Sequence, residues 1–156
     1  MITFRNIVTV LDTIASKHTE IHSFHSGFMD EVDINKLAAE DYTILYAEPG
    51  SATIDTGTLT YNFTIYVLDM INDKIGALNS LSGDATHDTE RLGRVDTFSE
   101  SLQILNDVIN EFKQNLYSTS WVDDDVILQV PINAEPLTAK FNNLLTGWSA
   151  SISLQV

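Results

Sequence analysis

The sequence contains no cysteine, which excludes disulfide bonds, thiolate metal sites and cysteine nucleophiles. It also has no run of about 20 apolar residues, so no segment is predicted to span a membrane. The first residues show no basic stretch followed by an apolar one, and no signal peptide is predicted. These absences are compatible with a reducing compartment.

Basic residues are scarce. Eight lysines and arginines stand against 22 acidic residues, which gives a formal net charge of −14. A chain with this charge is repelled at long range by nucleic acid and by anionic lipid. The basic residues are scattered, and only Arg91 and Arg94 lie close together in the sequence. The charge therefore indicates either simple solubility or an acidic surface that meets a basic partner or cations.

What remains is ordinary for a globular protein. The 156 residues fit one domain, 1–156, and a hydrophobic fraction of 44% is sufficient for a core. No phosphate-binding loop and no nucleophile elbow occurs in the sequence. We therefore expect no enzyme activity and no cofactor.

Two segments have helical spacing of their apolar residues. Residues 2–18 are predicted to form a helix with Thr3 as its N-cap, and residues 96–116 a longer one with Thr97 and Glu100 as a capping box. The apolar stripe of the longer helix includes Phe98, Leu102, Leu105, Ile109 and Phe112. The stripe could be read as a short coiled-coil seam, but packing against a sheet is the preferred interpretation.

Alternating apolar and polar residues predict the strands. The predicted strands are 21–27, 43–48, 52–54, 59–68, 126–132 and 148–156. Strands 52–54 and 59–68 are predicted to form a hairpin around Thr56-Gly57. Pro49-Gly50 is a turn signal. Pro136 is placed in the first turn of a short helix that ends at Gly147.

The elements do not alternate as βαβ units. They predict an α+β fold, in which two longer helices and one short helix pack on one face of a mainly antiparallel sheet. Residues 71–95 carry Gly76, Gly83 and Gly93 with mixed charges, and they are predicted to form a long loop or arm.

Three histidines within eight residues, His18, His22 and His25, suggest a metal site, with His87 further along the chain. His22 and His25 would point to opposite faces of a strand, and no zinc-protease motif is present. Histidines at a helix–strand junction that hold hydrogen bonds are the preferred interpretation, and no metal site is predicted.

The acidic residues give no catalytic pattern. Residues 123–125 are three consecutive aspartates but lack the alternating ligands and the glycine of a calcium loop. Glu48, Asp55, Asp69 and Asp73 could form an acid–base pair, yet no fixed spacing links two of them.

The aromatic residues could form a stacking surface, but most of them occupy alternating strand positions that predict core. They are Tyr46, Tyr61, Tyr66, Trp121 and Trp148. Without a basic groove they do not predict nucleic-acid binding. Tyr66 interrupts the polar face of its strand and is the best candidate for an exposed contact, and Trp121 is a second candidate.

Several segments together resemble a family of small bacteriophage virion proteins. The segments that carry the resemblance are the first helix with residues 21–27, then 42–46, 61–69, 103–107 and 136–148 before the last strand. The sequence is similar there to tail-completion, tail-terminator and head-to-tail connector proteins of tailed phages.

The resemblance implies a structural virion protein without catalytic residues, assembled in the host cytoplasm. It implies a homo-oligomeric ring, of six or twelve copies, in the neck or at the top of the tail, in contact with other virion proteins. DNA would pass through its channel without specific binding. As a hypothesis, residues 71–95 are an arm that orders on a neighbouring subunit, and a mobile surface loop is the alternative. The predicted interface residues are Tyr66, Gly76, Gly83, Arg91, Arg94, Trp121 and Val156.

Two other classes of function stay open. A small acidic ligand-binding or adaptor domain would show an apolar pocket with convergent polar groups. A hydrolase would hold an acid with a strongly shifted pKa in a cleft.

Overall fold

The computed structural model describes residues 2–28, 42–70, 89–118, 127–137 and 145–156. Within them the chain forms two helices, α1 (Phe4–Lys17) and α2 (Thr89–Ser118). The strands are β1 (Ser23–Ser26), β2 (Ile44–Asp55), β3 (Thr58–Met70), β4 (Ile127–Leu128), β5 (Ala134–Leu137) and β6 (Leu145–Gln155).

All six strands form one sheet, in the order β1-β2-β3-β6-β4, with β5 also paired to β6. Every pairing is antiparallel except that of β1 with β2, which is parallel. A parallel pair needs a connection of about a dozen residues or more, and residues 27–43 are long enough to supply one. The expected α+β class and mostly antiparallel sheet are confirmed, and the sheet is mixed because of β1.

One face of the sheet and both helices share a single core. Ile7 and Leu11 of α1 and Val108 and Phe112 of α2 are fully buried in it. The buried strand residues of this core all belong to one face: Leu45, Ala47, Phe63, Ile65, Val67, Leu128, Ala150, Ile152 and Leu154. We call this the helix face, and we call the other side of the sheet the second face.

Helix α1 begins as its sequence predicts. The Thr3 side chain accepts a hydrogen bond from the Asn6 amide, and the Asn6 side chain accepts one from the Thr3 amide at 2.9 Å. Two amides at the helix start are thereby satisfied, which stabilises an N-terminus. The prediction of Thr3 as the N-cap is confirmed.

Helix α2 starts earlier than predicted. It begins at Thr89, so Thr97 and Glu100 lie inside the helix and are not its capping box. Thr97 is buried, at 3% exposure, because it lies on the side of α2 that faces the sheet. The predicted stripe is wrong at Leu102, which is 38% exposed. The sequence also predicts that Ile104 and Val108 widen the stripe, and both are buried. In the part of the chain that the structure describes, neither helix is long and apolar enough to cross a membrane.

The hairpin of β2 and β3 turns at Thr56-Gly57, as predicted, with Gly57 at a φ of 82°. Pro49-Gly50 is not a turn, because β2 runs through both residues. The pairing of β2 with β3 instead shifts register between Pro49 and Ala52, which is a β-bulge. A proline is tolerated there because it lies at a bulge of an outer strand.

The region before β6 differs most from the prediction. The strand expected over 126–132 is reduced to β4, and Val130 is 62% exposed where alternation would bury it. Pro136 and Leu137 belong to β5, and Leu145 and Thr146 to β6, so the ends of the expected short helix are strands. Residues 138–144 lie outside the described residues. The last strand itself is confirmed, with Ala150, Ile152 and Leu154 buried.

Replacement of Phe112 by alanine should lower the free energy of unfolding by about 3–5 kcal/mol, because a fully buried aromatic ring leaves a cavity. Phe112 is 0% exposed and meets the Phe63 ring edge-on at 6.1 Å between centroids. Phe28→Ala is the matched control, since Phe28 is 52% exposed. Equal losses in the two variants by urea denaturation would contradict this core.

Candidate interaction surface at the sheet edges

Among the residues that the structure describes, no strand pairs with the outer edge of β2 beyond its first four residues. β1 pairs only with Ile44–Ala47, and the Gly27 amide adds one bond to the Ala47 carbonyl at 3.1 Å. From Gly50 to Asp55 every residue of β2 is exposed, and Ile54 reaches 84% exposure. Backbone groups on an unpaired edge are free to bond another strand. Within the described residues, this edge is the longest stretch of strand without an outer neighbour.

Asn62 on β3 holds the bulge of β2 in place. Its Nδ2 donates to the Ser51 carbonyl at 3.0 Å, and its Oδ1 accepts from the Ser153 hydroxyl of β6 at 2.6 Å. A Cβ at Gly50 would lie 2.8 Å from the Asn62 carbonyl oxygen, so only glycine allows this close approach. One side chain therefore links the open strand to β3 and β6.

The opposite edge of the sheet is formed by two short strands. β4 and β5 lie along the same side of β6, from Ile127 opposite Gln155 to Leu137 opposite Gly147. The Val130–Pro131 peptide between them is cis, and Pro136 lies within β5. Prolines and interruptions reduce the pairing capacity of an edge. The two edges of the sheet therefore differ in length and in regularity.

Tyr66 lies on the second face, between the two edges. Its ring meets Tyr46 edge-on at 6.3 Å, and it packs beside a small buried cluster that includes Ile44 and Leu68. Burial raises the pKa of the Tyr66 hydroxyl, and the carboxylate of Glu48, which is hydrogen-bonded to it, raises it further. Tyr66 is thus half-buried within its own chain; whether it also contacts a partner stays a prediction.

Carboxylates meet at the end of the sheet where β3 finishes. Burial raises the pKa of Asp69 above its usual 3.8, although the Met70 amide and the Thr43 hydroxyl, both hydrogen-bonded to it, act in the other direction. Burial also raises the pKa of Glu100 on α2, and the negative charges of Asp69, Asp96 and Glu20 add to the effect. This end of the domain is acidic and is stabilised by protonation.

The histidines do not converge. His18 Nε2 lies 3.5 Å from an Asp107 carboxylate oxygen of α2, and the His22 Nδ1 contacts the Tyr42 carbonyl oxygen. His25 pairs with Tyr46 across β1 and β2, and its buried Nε2 has no hydrogen-bond partner among the residues that the structure describes. Among the described residues, no group of three or more metal-binding side chains could hold an ion. His87 lies outside those residues.

The other acids suggested as a catalytic pair are also apart where they are described. Asp55 accepts a hydrogen bond from the Thr56 amide at the hairpin turn, whereas Asp69 is at the opposite end of β3. Glu48 is engaged by Tyr66. Asp73 and residues 123–125 lie outside the described residues.

The remaining predicted interface residues have mixed positions. Val156 continues the β6 pairing: its amide donates to the Leu59 carbonyl at 2.8 Å and its carbonyl accepts from the Leu59 amide at 3.0 Å. Arg91 and Arg94 belong to α2, in the stretch expected to be an arm, where residues 89–95 are helical. Gly76, Gly83 and Trp121 lie outside the described residues.

Sequence patterns did not single out Asn62, which occupies an ordinary polar position of an alternating strand. The Pro49-Gly50 pair, which lies opposite Asn62, is a turn signal in the sequence, whereas the structure has a bulge there. Comparison with known proteins finds no matching family model and no matching curated sequence.

Replacement of Asn62 by alanine should lower the free energy of unfolding by about 1–2 kcal/mol, because the Ser51 carbonyl loses its donor and the Ser153 hydroxyl its acceptor. Asn62→Asp keeps the acceptor for the Ser153 hydroxyl but sets a carboxylate oxygen against the Ser51 carbonyl oxygen, so it should not recover this loss. Urea denaturation measures both. A loss below about 0.3 kcal/mol for Asn62→Ala would show that the bulge does not need this side chain.

Replacement of Asp69 by asparagine should stabilise the protein at neutral pH. The pKa of Asp69 is higher in the folded state than its usual value of 3.8. Its contribution to folding stability is therefore fully present below pH 3.8 and is lost as the pH rises through the pKa of the folded state. The gain of Asp69→Asn over the natural chain should therefore grow as the pH rises above about 4.

Asp55→Asn is the control for Asp69→Asn, because it removes the same charge from the exposed hairpin turn. Stability is measured by denaturation at several pH values. A difference between Asp69→Asn and the natural chain that does not change with pH would contradict the position given to Asp69.

Proposed function

We propose that this chain is a structural subunit of a tailed-bacteriophage virion that assembles into a ring in the neck or at the top of the tail. The observation that carries the assembly part of the proposal is the open edge of β2. The place in the virion rests on the sequence resemblance to tail-completion, tail-terminator and head-to-tail connector proteins.

A ring requires head-to-tail contacts between two different surfaces of each subunit. The sheet offers two different edges, β2 on one side and β4 with β5 on the other. Contact between unlike edges repeats in one direction, and such a series closes into a ring where the rotation permits. This geometry supports a ring better than it supports a two-fold dimer.

The exposed part of β2 is suited to a neighbour. Residues 50–54 carry no charge, and Glu48 and Asp55 flank them. An uncharged exposed edge strand is what natural monomers usually avoid, because it recruits other strands. Its exposure here favours a role in assembly.

The net charge of −14 is consistent with a ring through which DNA passes. An acidic wall repels the phosphate backbone and limits adhesion of the moving DNA. The same charge makes contacts between subunits sensitive to ionic strength, so added salt should favour assembly.

Assembly is tested by mass photometry and electron microscopy of the purified protein across concentration and salt. We expect closed rings with a mass that is a whole multiple of 17.4 kDa. Ile54→Lys should weaken association by about tenfold or more, because it places a charge on the contacting edge. Val95→Lys is the matched control, since Val95 is an exposed apolar residue on α2, at 51% exposure.

Rings that form equally well with Ile54→Lys would show that the contact lies elsewhere. A monomer at every concentration and salt would contradict assembly by this chain alone and would favour the adaptor function.

A further inference from the structure

The connection between α1 and β1 contains a histidine whose two ring nitrogens have different roles. His18 is the C-cap of α1, and its amide donates to the Ile14 carbonyl at 3.0 Å. Its Nδ1 accepts a hydrogen bond from the Glu20 amide at 3.2 Å. Its Nε2 lies 3.5 Å from the Asp107 carboxylate, and the side chain is 15% exposed. The His18 imidazole therefore links the connection between α1 and β1 to α2.

These partners determine the protonation pattern of the ring. A backbone amide can only donate, so Nδ1 of His18 must carry a lone pair, and the proton of the neutral ring is on Nε2, directed at Asp107. His22 has the opposite requirement. The Tyr42 carbonyl oxygen that its Nδ1 contacts can only accept a hydrogen bond, so Nδ1 of His22 must carry the proton. A second proton on His22 goes to Nε2 and leaves its contact intact. A second proton on His18 goes to Nδ1 and places two donors face to face.

We propose that His18 is a pH-dependent switch in the α1–β1 connection. In the neutral form the ring accepts a hydrogen bond from the Glu20 amide through Nδ1 and directs its Nε2 proton at Asp107. In the protonated form it keeps Asp107 as an ion pair and releases the Glu20 amide. The connection then loses one of its restraints while the contact with α2 is retained.

Among the described residues, Asp107 of α2 is the charged group that contacts the His18 ring. Glu111 lies one helical turn further along α2. Lys17 and Glu20 lie close to His18 in the chain, and the Glu20 carboxylate interacts with Glu100.

The test is NMR of the full chain from pH 8 to pH 5, the range in which histidine side chains change charge. Long-range ¹H–¹⁵N spectra should show the neutral His18 ring protonated on Nε2 and the neutral His22 ring protonated on Nδ1. The Glu20 amide resonance should move with the same midpoint as the His18 ring.

His18→Asn is the matched variant, because an asparagine oxygen can replace Nδ1 as the acceptor and does not titrate. In it the Glu20 amide should lose the movement that follows His18, whereas in His22→Asn that movement should persist. A neutral His18 ring protonated on Nδ1, or a Glu20 amide that moves identically in His18→Asn, would overturn the proposal. The tautomer measured in the natural chain decides the question even if a variant does not fold.

Discussion

The pairing of β6 with β3 is the interaction on which the rest of the structure depends. It runs from Met70 opposite Leu145 to Thr60 opposite Gln155, and Val156 extends it to Leu59. β6 also provides the only pairing of β4 and β5 within the described residues. β3 covers residues 58–70 and β6 covers residues 145–155, so this pairing joins strands that lie far apart in the sequence. Such distant pairing is slow to form, because chain closure precedes the stabilising contacts.

The central position of β6 determines what the two edges are. Because β3 and β6 are covered on both sides, the strands that remain outermost are β1 with the open part of β2, and β4 with β5. α1 and α2 occupy the helix face, so that face has no room for another layer. In the proposed assembly a neighbouring subunit would therefore meet an edge or the second face, and the bulge fixed by Asn62 shapes the longer edge.

The parts of the fold that the sequence predicted are those governed by local periodicity. Alternation predicted β3 and β6 because one of their faces is buried along its length, and Thr3 predicted the start of α1 because the capping contact is local. The predictions failed where one signal fits two structures. Pro136 is compatible with the first turn of a helix and equally with an edge strand, where the structure places it. Thr97 and Glu100 have capping-box spacing, although the helix begins at Thr89. Pro49-Gly50 suits a turn and equally a bulge.

The candidate surface was harder to predict, because an open edge is a property of the strand order. Tyr66 was identified from its apolar character on a polar face, yet its contacts with Tyr46 and Glu48 depend on the register of β2. Neither Asn62 nor His18 has a motif around it. Asn62 is hydrogen-bonded to the Ser51 carbonyl and the Ser153 hydroxyl, and His18 lies beside Asp107 of α2. These partners are distant in the sequence and are brought near only by the fold.

Hydrogen–deuterium exchange of residues 50–55, measured below and above the concentration at which the protein assembles, tests the central claim most directly. If β2 pairs with a neighbouring subunit, amides in this stretch will exchange more slowly in the assembled protein, whereas those around the exposed Val95 of α2 will not change. Exchange in residues 50–55 that is the same at both concentrations would contradict a contact through this edge.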